Sequence, residues 1–174
     1  INNFIAKVYS RITNNDITGA IQECGNQQGS VASVVKAGLS KYREMSETDD
    51  INKDQKAMAI KQELEEAAGL EIPVLEQNLV IIATIAPLAT LIGLLGTVIG
   101  MIKAFSAIAT AGAPDAVALS NAISEALINT ALGIGSSALA IIAYNYFTTK
   151  IDKMTFSIDE SSIAIIQNFL AKHK

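Results

Sequence analysis

The sequence predicts an all-α integral membrane protein, with long transmembrane helices extending into the cytoplasm and a helical cytoplasmic insertion. Two observations carry this. Of 30 charged side chains in 174 residues, 20 lie in residues 1–76 and seven in residues 150–174. Only Lys103, Asp115 and Glu125 fall in residues 77–149, and a stretch so poor in charge cannot form the surface of a water-soluble protein. The second observation is length. Residues 79–102 and 126–149 each run 24 residues without a charge. At about 1.5 Å per residue each spans roughly 36 Å, enough for a hydrocarbon core of about 30 Å. A buried soluble hairpin is the alternative, but shorter runs would be expected of it. A net charge of −4 with 50% hydrophobic residues excludes a disordered chain and a basic nucleic-acid binder. Three segments follow: a cytoplasmic helical region over 1–76, a transmembrane hairpin over 77–149, and a cytoplasmic C-terminal helix over 150–174.

Residues 1–50 read as short helices with clear breaks. Asn14-Asn15-Asp16 signals a turn and an N-cap before a helix over 17–24. Gly25 to Ser30 is the next break. Val31, Val34, Val35, Leu39 and Tyr42 then recur at helical spacing, which predicts an amphipathic helix over 30–43. Glu47-Thr48-Asp49-Asp50 reads as an acidic loop. Asp54 caps a helix carrying Ala57, Ile60, Leu64 and Ala68 on one face, with Gly69 and Pro73 as points of bending. The lone Cys24 cannot form an intramolecular disulfide and reads as a small buried hydrophobe on a reducing side of the membrane.

Gly112-Ala113-Pro114-Asp115 is the strong turn signal between the two apolar runs. Twelve of the 13 basic residues lie outside the spans, Lys103 being the exception. With Lys61, Lys150 and Lys153 nearest the spans, the positive-inside bias puts both ends in the cytoplasm. Tyr144, Tyr146 and Phe147 form an aromatic girdle at that interface. Beyond it Ile151, Met154, Ile158, Ile165 and Phe169 continue the helical pattern.

Soluble-enzyme constellations are absent from the sequence. The one histidine is His173, no Cys/His metal spacing occurs, and neither GxxxxGK[ST] nor GxGxxG is present, so neither metal nor cofactor is expected. The spans are more informative. Thr90, Gly93, Thr97 and Gly100 fall at i, i+3, i+7 and i+10. Ala126, Thr130, Gly133, Ser137 and Ala140 form a matching stripe in the second run. Such stripes mark faces where helices pack or where a narrow polar lumen is lined. In the packing reading each threonine simply bonds its own i−4 carbonyl. Glycines Gly93, Gly96 and Gly100 permit close backbone approach. Glu125 lies within the bilayer or at its edge, where a carboxylate costs about 2.5–3.5 kcal/mol and calls for a partner or an ion route. The alternative places it in an outer loop, solvated or paired with Lys103. Pro87 frees a carbonyl in mid-span and kinks the helix.

Ile82-Ala83-Thr84-Ile85-Ala86-Pro87 with Gly93-Leu94-Leu95-Gly96-Thr97-Val98-Ile99-Gly100-Met101 closely resembles the second transmembrane helix of the ExbB/TolQ/MotA proton-channel family. Ser124-Glu125-Ala126-Leu127-Ile128-Asn129-Thr130-Ala131-Leu132-Gly133 and Tyr144-Asn145 resemble its third. The two motifs occur in order and cover roughly residues 75–150, and the ExbB and TolQ branch fits better than the flagellar MotA branch. The resemblance implies a first transmembrane helix upstream of the chain. Relatives often carry a proline in the third helix, and Ser136-Ser137-Ala138-Leu139-Ala140 has none.

The resemblance further implies a homopentameric ring in membrane lipid around two single-span ExbD- or TolR-like partners, a partner aspartate carrying the proton. Thr97 and Thr130 match family positions facing that aspartate, Glu125 matches the family's membrane glutamate, and Thr90 and Ser137 extend the pore-lining stripes. Pro87, Gly93, Gly96, Gly100 and Gly133 are assigned to kinking and packing. The expected function is an inner-membrane motor subunit, not an enzyme, that uses the proton motive force to energise outer-membrane transport through a TonB-like protein. No nucleic-acid partner is expected. The alternatives are a TolQ-type subunit serving envelope integrity, a MotA-like motility stator, and a non-conducting membrane scaffold.

Overall fold

The computed structural model describes residues 2–111 and 116–172, all of its regular elements being helices: α1 (Asn2–Thr13), α2 (Ile17–Gln27), α3 (Ser30–Glu47), α4 (Lys53–Glu76), α5 (Leu79–Ala111) and α6 (Ala116–Lys172). The turn expected at Gly112 to Asp115 and the single histidine, His173, lie outside the described residues. The chain forms two compact units. One combines Ile1–Gln77 with Thr149–Lys174, and the other is Asn78–Thr148.

In the first unit each helix contributes one apolar stripe to a shared core. Phe4, Val8 and Ile12 recur every fourth residue on α1 and are buried. The helix stops at Asn15, whose φ of 64° only a small polar residue or glycine adopts at low cost. Asp16 then caps α2, its carboxylate accepting from the Gly19 N–H at 2.9 Å and from Arg11 Nη1 at 2.8 Å. The Gly19 contact and the guanidinium together hold the Asp16 carboxyl below the usual aspartate range.

Helix α2 runs through Gly25 instead of breaking there. The break falls at Gln28 and Gly29, where φ is 51° and 103°. Helix α3 buries Val31, Val34, Val35, Leu39 and Tyr42, as the spacing predicts, and continues to Glu47. The start of α4 is also corrected. Asn52 occupies the N-cap position and Asp54 lies in the first turn, where its charge faces the positive end of the helix dipole. Pro73 sits inside α4 without ending it, and Gln77 N–H donates to the Pro73 carbonyl at 2.9 Å. Gly38 lets α3 and α4 approach, because a methyl group there would overlap the Leu64 side chain.

The end of α6 completes this core with Ile158, Ile165 and Phe169. The Phe169 ring meets Tyr42 edge-on at 5.0 Å, and Tyr42 Oη hydrogen-bonds Asn168 Oδ1 at 3.2 Å. Lys172 Nζ donates to the Ile12 carbonyl and to Asn15 Oδ1, both at 3.0 Å, fastening the end of α6 to the end of α1. Cys24 is buried in the same core, and burial pushes its thiol up to about 11.

The second unit inverts this pattern. Where α5 meets α6 the residues are small: Ala86, Gly93, Gly100 and Ala104 are buried on one side, Ala126 and Gly133 on the other. The large apolar side chains, among them Leu91, Ile92, Leu132 and Leu139, point outward and stay exposed. Both helices are long and apolar enough to cross a membrane. Outward leucine and isoleucine around a seam of glycine and alanine is the arrangement expected where the solvent is hydrocarbon, because no hydrophobic force then drives large side chains inward.

Candidate functional site

The two small-residue stripes of the sequence meet each other along one seam between α5 and α6. Glycine sets its closeness. A methyl group on Gly133 would stand 2.8 Å from the Ala89 carbonyl oxygen and from Gly93 Cα, and one on Gly93 would stand 3.0 Å from the Asn129 carbonyl. Two turns along, a methyl on Gly100 would meet Ala126 Cβ at 2.7 Å. At these three glycines no side chain fits unless the helices shift.

Thr97 and Thr130 face each other across this seam, and their hydroxyls are hydrogen-bonded to one another. Each hydroxyl is also close to carbonyl oxygens: Thr97 Oγ1 to Gly93 at 3.3 Å and to Ala126 at 3.4 Å, Thr130 Oγ1 to Ala126 at 3.4 Å. Since each hydroxyl has a single proton, the pair cannot donate to all three contacts at once. The node therefore has alternative proton arrangements, related by rotating the two hydroxyls.

The other expected site residues are placed separately. Thr90 lies two turns from Thr97, half-buried, its hydroxyl 3.5 Å from the Ala86 carbonyl. Ser137 is half-buried two turns beyond Thr130 on α6. Glu125 precedes Ala126 on α6 and is exposed, as is Lys103 on α5, and the two form no ion pair with each other. Pro87 is exposed within an α5 that continues through it, and its ring leaves the Ala83 carbonyl without the usual i+4 donor. Gly96 faces Asn129, whose side-chain Nδ2 would lie 3.0 Å from a methyl group at that position.

Asn129 was missed as a site residue by sequence reasoning. It is a half-buried amide in an uncharged run, and it lines a mostly apolar groove of about 530 Å³ along the seam together with Gly93, Gly96, Leu132, Gly133 and Ser136. The available signal was its offset: Glu125, Asn129 and Ser136 stand at i, i+4 and i+11, one residue behind the threonine stripe. Among the described residues no cluster of three or more His, Cys, Asp or Glu could hold a metal ion.

Comparison with known proteins bears on what such a hairpin does. Residues 26–160 match the MotA/TolQ/ExbB proton channel family. The chain belongs to that family. It is 28% identical over 120 residues to the Tol-Pal system protein TolQ of Pseudomonas aeruginosa, covering 69% of this chain and 52% of that protein. Against TolQ of Haemophilus influenzae the identity is 32% over 114 residues, 64% of this chain and 50% of the relative. A putative biopolymer transport protein ExbB homolog of Methanothermobacter thermautotrophicus is 31% identical over 134 residues, 76% of this chain and 43% of the relative. The chain thus spans about half the length of the curated relatives it matches. The proton channel match takes in α3, α4, the whole seam and the first part of α6, so the Thr97–Thr130 node lies inside it.

Proposed function

We propose that the chain is a ring subunit of an inner-membrane motor driven by the proton motive force, energising TonB-dependent transport through the outer membrane with single-span ExbD-like partners. The observation that supports this best is the Thr97–Thr130 hydroxyl pair, set between two apolar helices in a member of a proton channel family. Hydroxyls accept and donate, so the pair can receive a proton on one side and release one on the other by rotating. They cannot hold a proton at ordinary pH, however, and residues 79–102 and 126–149 carry no ionisable acid or base apart from tyrosine. In this reading the carrier is a carboxyl on a partner's transmembrane helix. Glu125, at the edge of the second run, extends the route toward the aqueous face, and Thr90 and Ser137 extend the polar lining.

In this reading both spans cross the membrane with residues 1–76 and 150–174 in the cytoplasm, held there by the basic residues outside the spans. The ring is a homopentamer, and its seam glycines and Pro87 set the packing and the bend of the spans. Each proton crossing releases about 2.3 kcal/mol per 100 mV, which moves the partner and transmits force across the periplasm.

Thr97→Val and Thr130→Val test the assignment, since valine keeps the shape and removes the hydroxyl. Energised uptake should be lost while the complex still assembles; full activity in both variants sinks the proposed role. A second reading, a Tol-Pal subunit serving envelope integrity, draws on the likeness to the two TolQ proteins. It shares the chemistry and differs in the partner, so identifying the single-span protein that co-purifies with the native complex separates the two.

A further inference from the structure

We infer that the open face of α4 beyond Leu64 docks the cytoplasmic end of the single-span partner, and that this end is an amphipathic segment rich in lysine and arginine. The inference rests on the motor reading proposed above, and it concerns α4 within the unit of Ile1–Gln77 and Thr149–Lys174 alone. An unpartnered helix face and its charge complementarity carry it.

Helix α4 changes character along its length. Ala57, Ile60 and Leu64 are buried in the shared core, yet no residue after Leu64 is buried although the helix runs on to Glu76. In these last turns only Ala67, Ala68 and Ile72 still touch the core, partly buried. Leu70 and Val74 stand 75% and 55% exposed. Glu66, Leu70, Pro73 and Val74 fall at i, i+4, i+7 and i+8, so they share one face, and all four are exposed. On the proposed placement that face meets water and not hydrocarbon, and covering its leucine and valine is favourable.

Charge selects what covers it. Residues 62–78 hold Glu63, Glu65, Glu66, Glu71 and Glu76 and no lysine or arginine. Lys61 pairs with Glu65 at 3.6 Å, and Gln62 donates to Glu66. Among the described residues Glu63, Glu66, Glu71 and Glu76 form no ion pair. The anionic surface of a cytoplasmic leaflet repels such a stretch, and a second copy presenting the same face repels it too. No group of three or more carboxylates among the described residues could hold a metal ion. A cationic segment is attracted, and the positive-inside bias supplies one. A single-span helix that sends its larger part across the periplasm is held in that orientation by lysine and arginine at its cytoplasmic end. Five such faces around two partner chains also require contacts that can be exchanged as the partner moves, and solvated ion pairs are individually weak.

Photo-crosslinking in membranes carrying the full-length protein and its partners tests this. A benzophenone maleimide on Leu70→Cys captures whatever lies against the face, whatever its chemistry. Met58→Cys is the control, since Met58 is 68% exposed on the same helix and more than three turns away. The native thiol, Cys24, is buried and stays unlabelled. Leu70→Cys is expected to capture the partner's cytoplasmic segment about threefold or more over Met58→Cys. Glu66→Gln, Glu71→Gln and Glu76→Gln together should lower that capture about threefold or more, and where this variant does not assemble, about 0.5 M salt should do the same. Capture of a second copy or of lipid in place of the partner overturns the inference, and so does the absence of any capture. Equal capture from Met58→Cys, capture unchanged by neutralisation or salt, or a partner whose cytoplasmic end has no excess of lysine and arginine overturns it as well. Those outcomes leave the motor reading standing. If no single-span protein co-purifies with the unaltered complex, that reading itself fails and the inference falls with it.

Discussion

Gly133→Ala isolates the closeness of the α5–α6 seam, and Gly135→Ala, two residues along the same helix, provides its matched control. The chemical change is identical, and in each case the backbone gains helix propensity of at most about 1 kcal/mol. The surroundings are not alike. A methyl on Gly135 meets nothing within 4 Å, whereas one on Gly133 stands 2.8 Å from the Ala89 carbonyl oxygen and from Gly93 Cα. Both neighbours are backbone atoms, so relief requires the helices to part and no side-chain rotation will serve. Overpacking of this kind costs about 1–3 kcal/mol, and parting the helices also stretches the Thr97–Thr130 hydrogen bond. The expected net loss for Gly133→Ala is about 1–2 kcal/mol, roughly a 5–30-fold shift in the unfolding equilibrium. Gly135→Ala should be neutral or slightly stabilising. The assay is unfolding of the purified protein in mixed micelles by added dodecyl sulfate, followed by energy transfer between labels on α5 and α6. Gly93→Ala combined with Gly133→Ala should cost less than the sum of the two, because a seam already opened admits the second methyl. Equal stability of Gly133→Ala and Gly135→Ala would refute the close-packed seam.

Two further predictions concern the other unit. Phe169→Ala removes a fully buried ring stacked edge-on against Tyr42 and should cost about 3–5 kcal/mol, read as earlier denaturation and as protease cleavage near the end of α6. Asp16 predicts a pH dependence. Its carboxyl is lowered first by the Gly19 N–H and then by Arg11, so the stability it adds is complete above the usual aspartate range and is lost as pH falls through the lowered value. Denaturation of the wild type and of Asp16→Ala across acid pH should show this increment in the wild type alone. Identical pH profiles would show that the cap contributes nothing.

The legible and illegible parts of this chain divide by the range of the interaction that fixes them. Asp16 as a cap and the Val34, Val35, Leu39 and Tyr42 face of α3 are local patterns, and the structure realises both. Errors of one turn arose where a local signal had a competitor. Gly25 is tolerated inside α2 because the left-handed residues Gln28 and Gly29 supply a stronger stop, and Asn52 takes the cap position ahead of Asp54. The union of the α6 end with α1 through α4 left no local trace, since Tyr42 and Asn168 are 126 residues apart. At the candidate site, the stripes around Thr97 and Thr130 were visible, but a stripe of small residues has the same period whether it lines a lumen or packs a neighbour.

The packing role is visible at Gly93, Gly100 and Gly133, where atoms of α5 and α6 would meet an added methyl group at 2.7–3.0 Å. Rotation by a single residue, about 100° around α6, separates Thr130, which faces Thr97, from Asn129, which faces Gly96. On the proposed reading the Thr97–Thr130 contact has a mechanical consequence. A carboxyl arriving from a partner helix finds the two threonine hydroxyls engaged with each other, and it can bond either one only by displacing that contact. Proton exchange with the node then depends on breaking a hydrogen bond inside the hairpin, so the tightness that Gly93 and Gly133 impose on the seam also sets how readily the node opens. Loosening the seam and removing its hydroxyls should therefore fail differently: the first changes how easily the helices separate, while the second leaves the packing intact and takes away the acceptor.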